Sequence, residues 1–473
     1  MLGFFDHRLY LLLSVCLLEG RAQDSSQRFE DFSVDPQWES YRSRLLPNPL
    51  PITRQEFGWR RSHSGGHEIG GWIQRSLTPA WFAKVIPKRT LNDRLSASGK
   101  FSVTRDDSSS GTLFGWFNET SRGWRAPNSL VLRLDGNGGK YWVFFEYGTR
   151  HWLTGGVGCF EGERYQTTPT RPFCADGTEH AWSLTYDPEG ANGDGLITVV
   201  LDGTIYTRAL SPGHKADGAE FNRFGMFNLQ NTGSGMEVSF RDLTLDGRAI
   251  DLSSAAGWEE RGNKVEFADR QMRPFHDFGW MGTNRAGSKP GEIRGITWRD
   301  EKPAYYASKV GPLTLEDELY ASGKIAFHGA GSDSAAYLGW FNSSSKTNKA
   351  TSDLQEPQKN VLGIIIEGPS QIGHYFRAEY RAANGQGVID DEGPIIRPDG
   401  RVHQWSIHYA PRSGDGHGQI TVQLDNATQT LRLAPEHRKQ GAVFDRFGLF
   451  NLQVGGHFVD IALDDVTYTI KPK

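Results

Sequence analysis

The chain has little cysteine, no excess of basic charge and no long apolar run beyond its N-terminus. Its 473 residues include only three cysteines, and 52 basic residues stand against 56 acidic ones. Because nucleic-acid-binding surfaces need clustered positive charge, this balance argues against a nucleic-acid partner. A membrane-spanning helix needs about 20 consecutive apolar residues, so we also expect no membrane span.

The N-terminal apolar run has the features of an export signal. His7 and Arg8 precede the apolar residues 9–18, and small residues follow shortly afterwards. We therefore predict a signal peptide at residues 1–22 and a flexible leader at residues 23–27. The mature protein would be secreted, to an extracellular or periplasmic location.

Removal of the signal peptide leaves two of the three cysteines. Cys159 and Cys174 form an even pair in an oxidising compartment, which favours a disulfide. Such a bridge would contribute on the order of 3 kcal/mol to stability. Two free buried thiols are the alternative.

The second half of the chain repeats the first at a spacing of about 220 to 224 residues. Three pairs of segments carry the repeat: residues 38–39 and 258–259, 115–118 and 339–342, and 221–230 and 444–453. A period this long indicates a duplicated domain, not a solenoid unit. We predict copy one at residues 28–247 and copy two at residues 248–473.

Within each copy, short runs alternate between apolar and polar residues and end at glycine, aspartate or asparagine. Residues 130–135 alternate in this way, Gly136 to Gly139 supply a turn, and residues 141–147 form the return strand. No stretch has the pattern of a long amphipathic helix. The pattern predicts an all-β fold of two tandem antiparallel β-sandwiches.

One motif in both copies resembles the concanavalin A-like jelly-roll superfamily of lectins, glucanases and laminin-G-type modules. It consists of His-x-Trp, a strand ending in Tyr, a loop, and a strand ending in Leu-Asp. Its residues are His180, Trp182, Tyr186, Leu201, Asp202 and Gly203 in copy one, and His403, Trp405, Tyr409, Leu424, Asp425 and Asn426 in copy two. The resemblance implies a jelly roll that places sugars across its concave sheet. The superfamily contains binding modules and enzymes, so it leaves activity open.

One strand of copy two carries a polar face that suits such a ligand. Strand alternation places Tyr375, Arg377, Glu379 and Arg381 on one side and His374 on the other. Arginine pairs with carboxylate or sulfate groups, and tyrosine stacks on sugar rings. A solvated outer face with cross-strand ion pairs is the alternative.

Copy one offers different candidates at the matching positions. Trp142 and Glu146 share one face of the corresponding strand, so two sugar sites would not be equivalent. Trp116 and Trp340 lie in matching Gly-Trp-Phe-Asn segments and are candidate sugar-stacking residues. Their repetition favours the alternative that both fill a sandwich core.

A loop of copy one has oxygen ligands at a spacing suggestive of calcium. These are Asp187, Glu189, Asn192 and Asp194, which copy two does not reproduce. A polar turn is the favoured alternative, so we assign no metal site and expect no other cofactor.

Three functions remain open. The preferred hypothesis is a secreted protein that binds glycans or polysaccharide, because no complete catalytic motif is present. The alternative is a polysaccharide-degrading hydrolase or lyase with copy two as the active domain. Glu379, Arg377 and Tyr375 would then be catalytic, with Arg381, His374, Trp142, Glu146, Trp116 and Trp340 as further ligand contacts. A structural or adhesive surface module is the third possibility.

Overall fold

The computed structural model describes residues 27–62, 65–162, 170–269, 275–345 and 358–471. The predicted signal peptide and most of the predicted leader therefore lie outside the described residues. Gln27 is an exception, because it begins the first strand instead of belonging to a leader.

The described chain forms 34 strands and very little helix. The first eighteen strands are β1 Gln27–Glu30, β2 Glu39–Tyr41, β3 Arg44–Leu45, β4 Ile52–Arg61, β5 His67–Gln74, β6 Trp81–Thr90, β7 Leu95–Asp106, β8 Ser108–Phe117, β9 Ser129–Asn137, β10 Lys140–Gly148, β11 Thr154–Gly158, β12 Phe173–Cys174, β13 Glu179–Asp187, β14 Leu196–Leu201, β15 Thr204–Ala209, β16 Glu220–Asn228, β17 Gly235–Leu245 and β18 Arg248–Ala249.

The remaining strands are β19 Trp258–Arg261, β20 Lys264–Ala268, β21 His276–Met281, β22 Glu292–Trp298, β23 Tyr305–Thr314, β24 Leu319–Ala330, β25 Ser334–Phe341, β26 Val361–Gly368, β27 His374–Arg381, β28 Gly387–Ile389, β29 Ile395–Ile396, β30 Val402–Ala410, β31 Gln419–Leu424, β32 Ala427–Arg432, β33 Val443–Asn451 and β34 Phe458–Thr469. The helical elements are α1 His214–Asp217 and two 3₁₀ turns at Ala191–Gly193 and Arg438–Gln440. None of the described helices is long and apolar enough to cross a membrane.

These strands form four sheets, two in each sandwich. In the first sandwich, sheet I has the order β11-β10-β9-β8-β16-β6-β19 with β12 beside β10, and sheet II has the order β15-β14-β13-β7-β17-β5-β4-β20 with β18 beside β17. In the second sandwich, sheet III has the order β2-β23-β33-β25-β26-β27-β28 with β29 beside β27, and sheet IV has the order β3-β21-β22-β34-β24-β30-β31-β32 with β1 beside β34. The predicted fold class, all-β with two tandem antiparallel sandwiches, is confirmed.

Each sandwich buries one face of both its sheets in a single core. On β10, the alternate residues Tyr141, Val143, Phe145 and Tyr147 all point into the first core. The hairpin from β9 to β10 turns as predicted, with Gly138 and Gly139 at φ of 76° and 77°. Since L-residues rarely adopt this conformation, glycine is favoured at both positions.

The resemblance motif has a structural role in both halves. The Nδ1 atom of His180 lies 2.7 Å from the Asp202 carboxylate, and His403 lies 2.7 Å from Asp425 in the same way. Each aspartate begins a hairpin turn at positive φ. The shared His and Asp therefore fix a turn of the scaffold.

The sandwiches exchange their first segments. Strands β1 to β3 lie at the start of copy one in the sequence, yet they pair with β34, β23 and β21 of the second sandwich. Strands β19 and β20, which follow copy one, pair with β6 and β4 of the first sandwich. The predicted division after residue 247 marks the end of the repeat in the sequence, whereas the sheets join segments from both sides of it.

The repeated Trp-Glu pairs hold the exchanged segments in place. Glu259 lies 2.7 Å from Arg223, and Glu39 lies 2.8 Å from Arg446. Similarly, Trp258 stacks on Phe82 in the first sandwich, and Trp38 stacks on Tyr306 in the second. The Trp-Glu pair of each copy thus makes equivalent contacts in the sandwich formed mainly by the other copy.

Candidate functional site

The candidate site lies on the outer face of sheet I. Because side chains alternate along β10, Trp142, Phe144 and Glu146 point away from the core that the intervening residues fill. The edge strand β11 runs beside them, with Gly158 opposite Phe144 and Gly156 opposite Glu146. The predicted division of β10 into two faces is therefore present in the structure.

This face contains an open cavity of about 380 Å³, which we call the sheet I cavity. The side chains of Arg125, Arg133, Phe144, Glu146 and Phe160 line it, together with the glycines of β11. A Cβ atom on Gly158 would come within 2.3 Å of the Phe160 ring. Glycine at this edge therefore lets the aromatic wall approach the sheet closely.

Arg133 connects the charged and aromatic parts of the cavity. Its guanidinium lies 4.3 Å from the centre of the Phe144 ring and 3.4 Å from the Glu146 carboxylate. Asp135 lies 3.8 Å away and also forms a close ion pair with Arg75. The Arg133 guanidinium therefore stacks on the Phe144 ring and is held in place by the carboxylates of Glu146 and Asp135.

Arg125 lies at the rim of the cavity on the loop between β8 and β9. It is half-buried, and its Nη1 donates to Thr154 Oγ1 at 3.1 Å. Burial lowers the pKa of this guanidinium, and the nearby Glu146 carboxylate opposes that effect. The group remains a cation at neutral pH, since arginine begins from a very high pKa.

Trp142 supports the wall of the cavity. It is buried, and its ring centroid lies 4.9 Å from that of Phe160. Glu146 therefore borders the cavity and Trp142 lies behind its aromatic wall, and a role of either residue in ligand binding stays a prediction.

In the second sandwich, the equivalent face of sheet III is occupied by internal pairs. Glu379 is only 1% exposed; it accepts a hydrogen bond from the Tyr337 hydroxyl at 2.5 Å and from Arg381 Nε at 2.7 Å. Burial raises the pKa of the Glu379 carboxyl. Arg377 is ion-paired with Glu367 beside the half-buried Tyr375. The predicted catalytic residues thus share a face, but Glu379 is closed to a ligand.

Three predicted ligand contacts lie in the cores instead. His374 points to the opposite side of β27, is 1% exposed and lies 2.9 Å from Ser334 Oγ. Burial lowers its pKa to about 3, so it is neutral and separated from Glu379 by the sheet. Trp116 and Trp340, at 1% and 0% exposed, fill the two cores. These assignments are corrected, because none of the three side chains offers a surface to a sugar.

The predicted disulfide is also corrected. The Cys159 amide donates to the Val143 carbonyl, whereas Cys174 pairs with Lys140 three residues away on the same strand. At about 3.3 Å per residue the two cysteines are roughly 10 Å apart, and both are free. Burial raises the pKa of the Cys159 thiol to about 12.

The proposed calcium loop places cations beside its carboxylates. Arg94 lies 2.9 Å from Asp187, and Lys215 lies 4.0 Å from Glu189. Across the described ranges, no three or more histidine, cysteine, aspartate or glutamate side chains are grouped so that they could hold a metal ion. The assignment of this loop as a polar turn, with calcium binding as the alternative, stays a prediction.

Sequence reasoning missed Arg125, Arg133 and Phe160. Arg133 could have been found, because it alternates on β9 and pairs directly with Phe144 across the strands. Arg125 and Phe160 lie outside the regular strands, where no periodic pattern shows which way a side chain points.

Solved structures similar to this chain are concanavalin A-like jelly rolls at low identity, the superfamily that the sequence motif resembles. The LG4-5 domains of the mouse laminin alpha1 chain are 11% identical, with a TM-score of 0.26, over 89% of this chain and 99% of that chain. Lectin UEA-II, solved with galactose, is 12% identical, with a TM-score of 0.24, and the match covers 45% of this chain and 99% of the lectin chain. An endo-1,3-beta-glucanase from Streptomyces sioyaensis is 13% identical, with a TM-score of 0.22, over 47% and 97%.

No protein-family model and no curated protein matches the chain.

Proposed function

We propose that the protein is a secreted carbohydrate-binding protein and that the sheet I cavity is its sugar site. The observation that carries this proposal is an open cavity where two aromatic rings, Phe144 and Phe160, lie beside Arg133 and Glu146. Export is supported by the signal-peptide pattern of residues 1–22.

The cavity combines the two kinds of surface that a sugar ring needs. The apolar face of a pyranose packs on an aromatic ring, while its hydroxyl groups need fixed donors and acceptors. Phe144 and Phe160 supply the first, and the Arg133 and Glu146 side chains supply the second. Its volume of about 380 Å³ falls within the range of small-molecule sites, roughly 300 to 1,000 Å³.

Binding is favoured over hydrolysis in the sheet I cavity because its described lining residues include a single carboxylate. A glycoside hydrolase needs two carboxyl groups that flank the scissile bond, about 5 to 10 Å apart. The sheet I cavity has one carboxylate among its lining residues, Glu146, and it lies beside Arg133. Glu379, the predicted catalytic residue of the other half, is closed to solvent.

The test is affinity electrophoresis of the full chain in gels that contain neutral or charged polysaccharides. We expect at least one polymer to retard the protein, and we expect Phe144→Ala to weaken that binding by about fivefold, since stacking on an aromatic ring contributes on the order of 1 kcal/mol. Ile205→Ala is the matched control, because Ile205 is an apolar residue 66% exposed on the other sheet of the same sandwich.

The other functions have distinct outcomes in the same experiment. Unchanged migration in every gel would contradict the proposal and favour a structural or adhesive module. Release of reducing ends from a polymer, with Phe144→Ala and Ile205→Ala equally active, would favour an enzyme acting at another site.

A further inference from the structure

The sheet I cavity has one more arginine than its carboxylates can neutralise. Asp135 forms a close ion pair with Arg75, and Glu146 lies 3.4 Å from Arg133. Within the described part of the chain, no carboxylate lies within 4 Å of Arg125. Two guanidinium groups, those of Arg125 and Arg133, therefore line the cavity with the single carboxylate of Glu146, and the hydrogen bond of Arg125 to Thr154 is to a neutral hydroxyl.

Partial burial of a guanidinium without an ion partner has an uncompensated desolvation cost. The group has lost part of its hydration, and a hydroxyl acceptor replaces only one of its hydrogen bonds. A planar anion such as a carboxylate or a sulfate ester can accept two parallel bonds from the guanidinium. The cavity therefore favours an anionic group next to Arg125 over a neutral hydroxyl there.

The second sandwich fixes the position of this arginine. The Thr154 amide donates to the Gln371 carbonyl at 2.8 Å, across the seam between the two sandwiches. Arg125 and Thr154 also line a narrow apolar crevice at that seam, where Trp124 and Trp152 of the first sandwich face Pro369 of the second. Arg125 thus lies where the sheet I cavity opens toward the other half of the molecule.

We propose that the sheet I cavity binds an anionic sugar residue, a uronate or a sulfated sugar, through Arg125. Thr154 acts as a positioning residue that is held across the seam by Gln371. This inference rests on the proposed function, because it specifies which class of glycan the same cavity takes.

The test compares two acidic polymers with their neutral counterparts by titration calorimetry on the full chain. Polygalacturonate is paired with its carboxyl-reduced form, and dextran sulfate is paired with dextran, at an ionic strength of about 0.15 M. We expect at least one acidic polymer to bind about tenfold or more tightly than its neutral counterpart, since hydrogen bonds between charged groups are the stronger ones. Preference within the first pair identifies a carboxylate, and preference within the second identifies a sulfate.

Two variants separate a specific contact from bulk charge. Arg125→Gln should remove most of the preference for the acidic polymer, whereas Arg150→Gln should retain it. Arg150 is the matched control because it is an exposed arginine of the same sandwich, paired with Glu220 outside the cavity. Thr154→Val keeps the charge and should reduce the ratio of acidic to neutral affinity by a smaller factor.

Equal affinity of the wild-type protein for both members of each pair would overturn the inference, whether or not Arg125→Gln folds. Equal losses in Arg125→Gln and Arg150→Gln would also overturn it, since net charge alone would then explain the preference. Binding of neutral polymers that Phe144→Ala abolishes would leave the proposed function standing while this inference fails. Absence of binding to every polymer would contradict both the proposed function and this inference.

Discussion

At the scale of single residues, the two copies differ at a cross-strand pair beside the shared glutamate. In the first sandwich Arg133 on β9 lies opposite Phe144 on β10, whereas in the second Ile365 on β26 lies opposite Arg377 on β27. The arginine of this pair thus lies on different strands in the two copies. The side chains next to the shared glutamate, Glu146 or Glu379, differ accordingly. Glu146 borders an open cavity, while Glu379 is enclosed by its own partners.

Buried histidines are expected to make the free energy of unfolding depend on pH in the acid range. Burial lowers the pKa of His374 to about 3 and that of His276 to about 4. In the unfolded chain both titrate near their ordinary pKa of about 6.5, so the unfolded state binds more protons as the pH falls below that value. The free energy of unfolding should therefore decrease as the pH falls from about 6.5 toward 3.

We expect His374→Gln to remove part of this acid sensitivity. Between pH 6.5 and 4.5, His374 should account for a loss of about 2 to 3 kcal/mol, since one pKa unit corresponds to about 1.4 kcal/mol. Urea unfolding at both pH values measures it. Burial raises the pKa of Asp464 to about 6, which acts in the opposite direction, but Asp464 is the same in both proteins. An equal loss of stability in wild type and variant would contradict the account.

At the scale of elements, the exchanged segments couple the two sandwiches. Trp38 belongs to copy one of the sequence repeat, yet it packs in the core of the second sandwich. Trp258 follows copy one and packs against the core of the first. Stability of each sandwich should therefore depend on a segment that the sequence repeat assigns to the other.

We expect Trp38→Ala to loosen the second sandwich and leave the first unchanged. Removal of a buried tryptophan costs about 3 to 5 kcal/mol, so amide hydrogen exchange should accelerate across residues 305–341. Trp258→Ala is the matched variant and should accelerate exchange across residues 81–117, by a smaller amount because Trp258 is only half-buried. Faster amide hydrogen exchange in the first sandwich of the Trp38→Ala variant would contradict the assignment of Trp38 to the second sandwich.

The sequence predicted the strands and turns but not the exchange of segments. Alternation and glycine turns are local signals, and they placed the hairpin at Gly138 correctly. The exchanged segments could not be assigned, because both halves offer an equivalent aromatic ring and an equivalent arginine. Either copy of Trp-Glu can therefore satisfy either sandwich, and chain order alone does not distinguish them.

The sequence also predicted which residues share a strand face in each copy, but not which of the two faces is open. Period-two alternation placed Glu146 and Glu379 on equivalent faces, as the structure has them. Whether such a face is open depends on neighbours from other strands and loops, such as Tyr337 in one half and Arg125 in the other. Those neighbours come together only in the folded chain.

At the scale of the whole molecule, duplication has produced one fold twice, and the two copies differ on the equivalent faces of sheets I and III, where Glu146 borders an open cavity and Glu379 is buried. The seam between the sandwiches includes the bond from Thr154 to Gln371 and a second contact from Asn231 to Ser332. Together with the exchanged segments, these contacts place the sheet I cavity beside the second half of the molecule. The central claim is that glycan binds in that cavity and not on the equivalent face of sheet III.

Hydroxyl-radical footprinting of the full chain tests this claim most directly, because it reports solvent exposure of individual aromatic side chains. With a polysaccharide that retards the protein in gels, the account predicts lower reactivity at Phe144 and Phe160 and unchanged reactivity at Tyr375. Protection of Tyr375 with no change at Phe144 and Phe160 would contradict it.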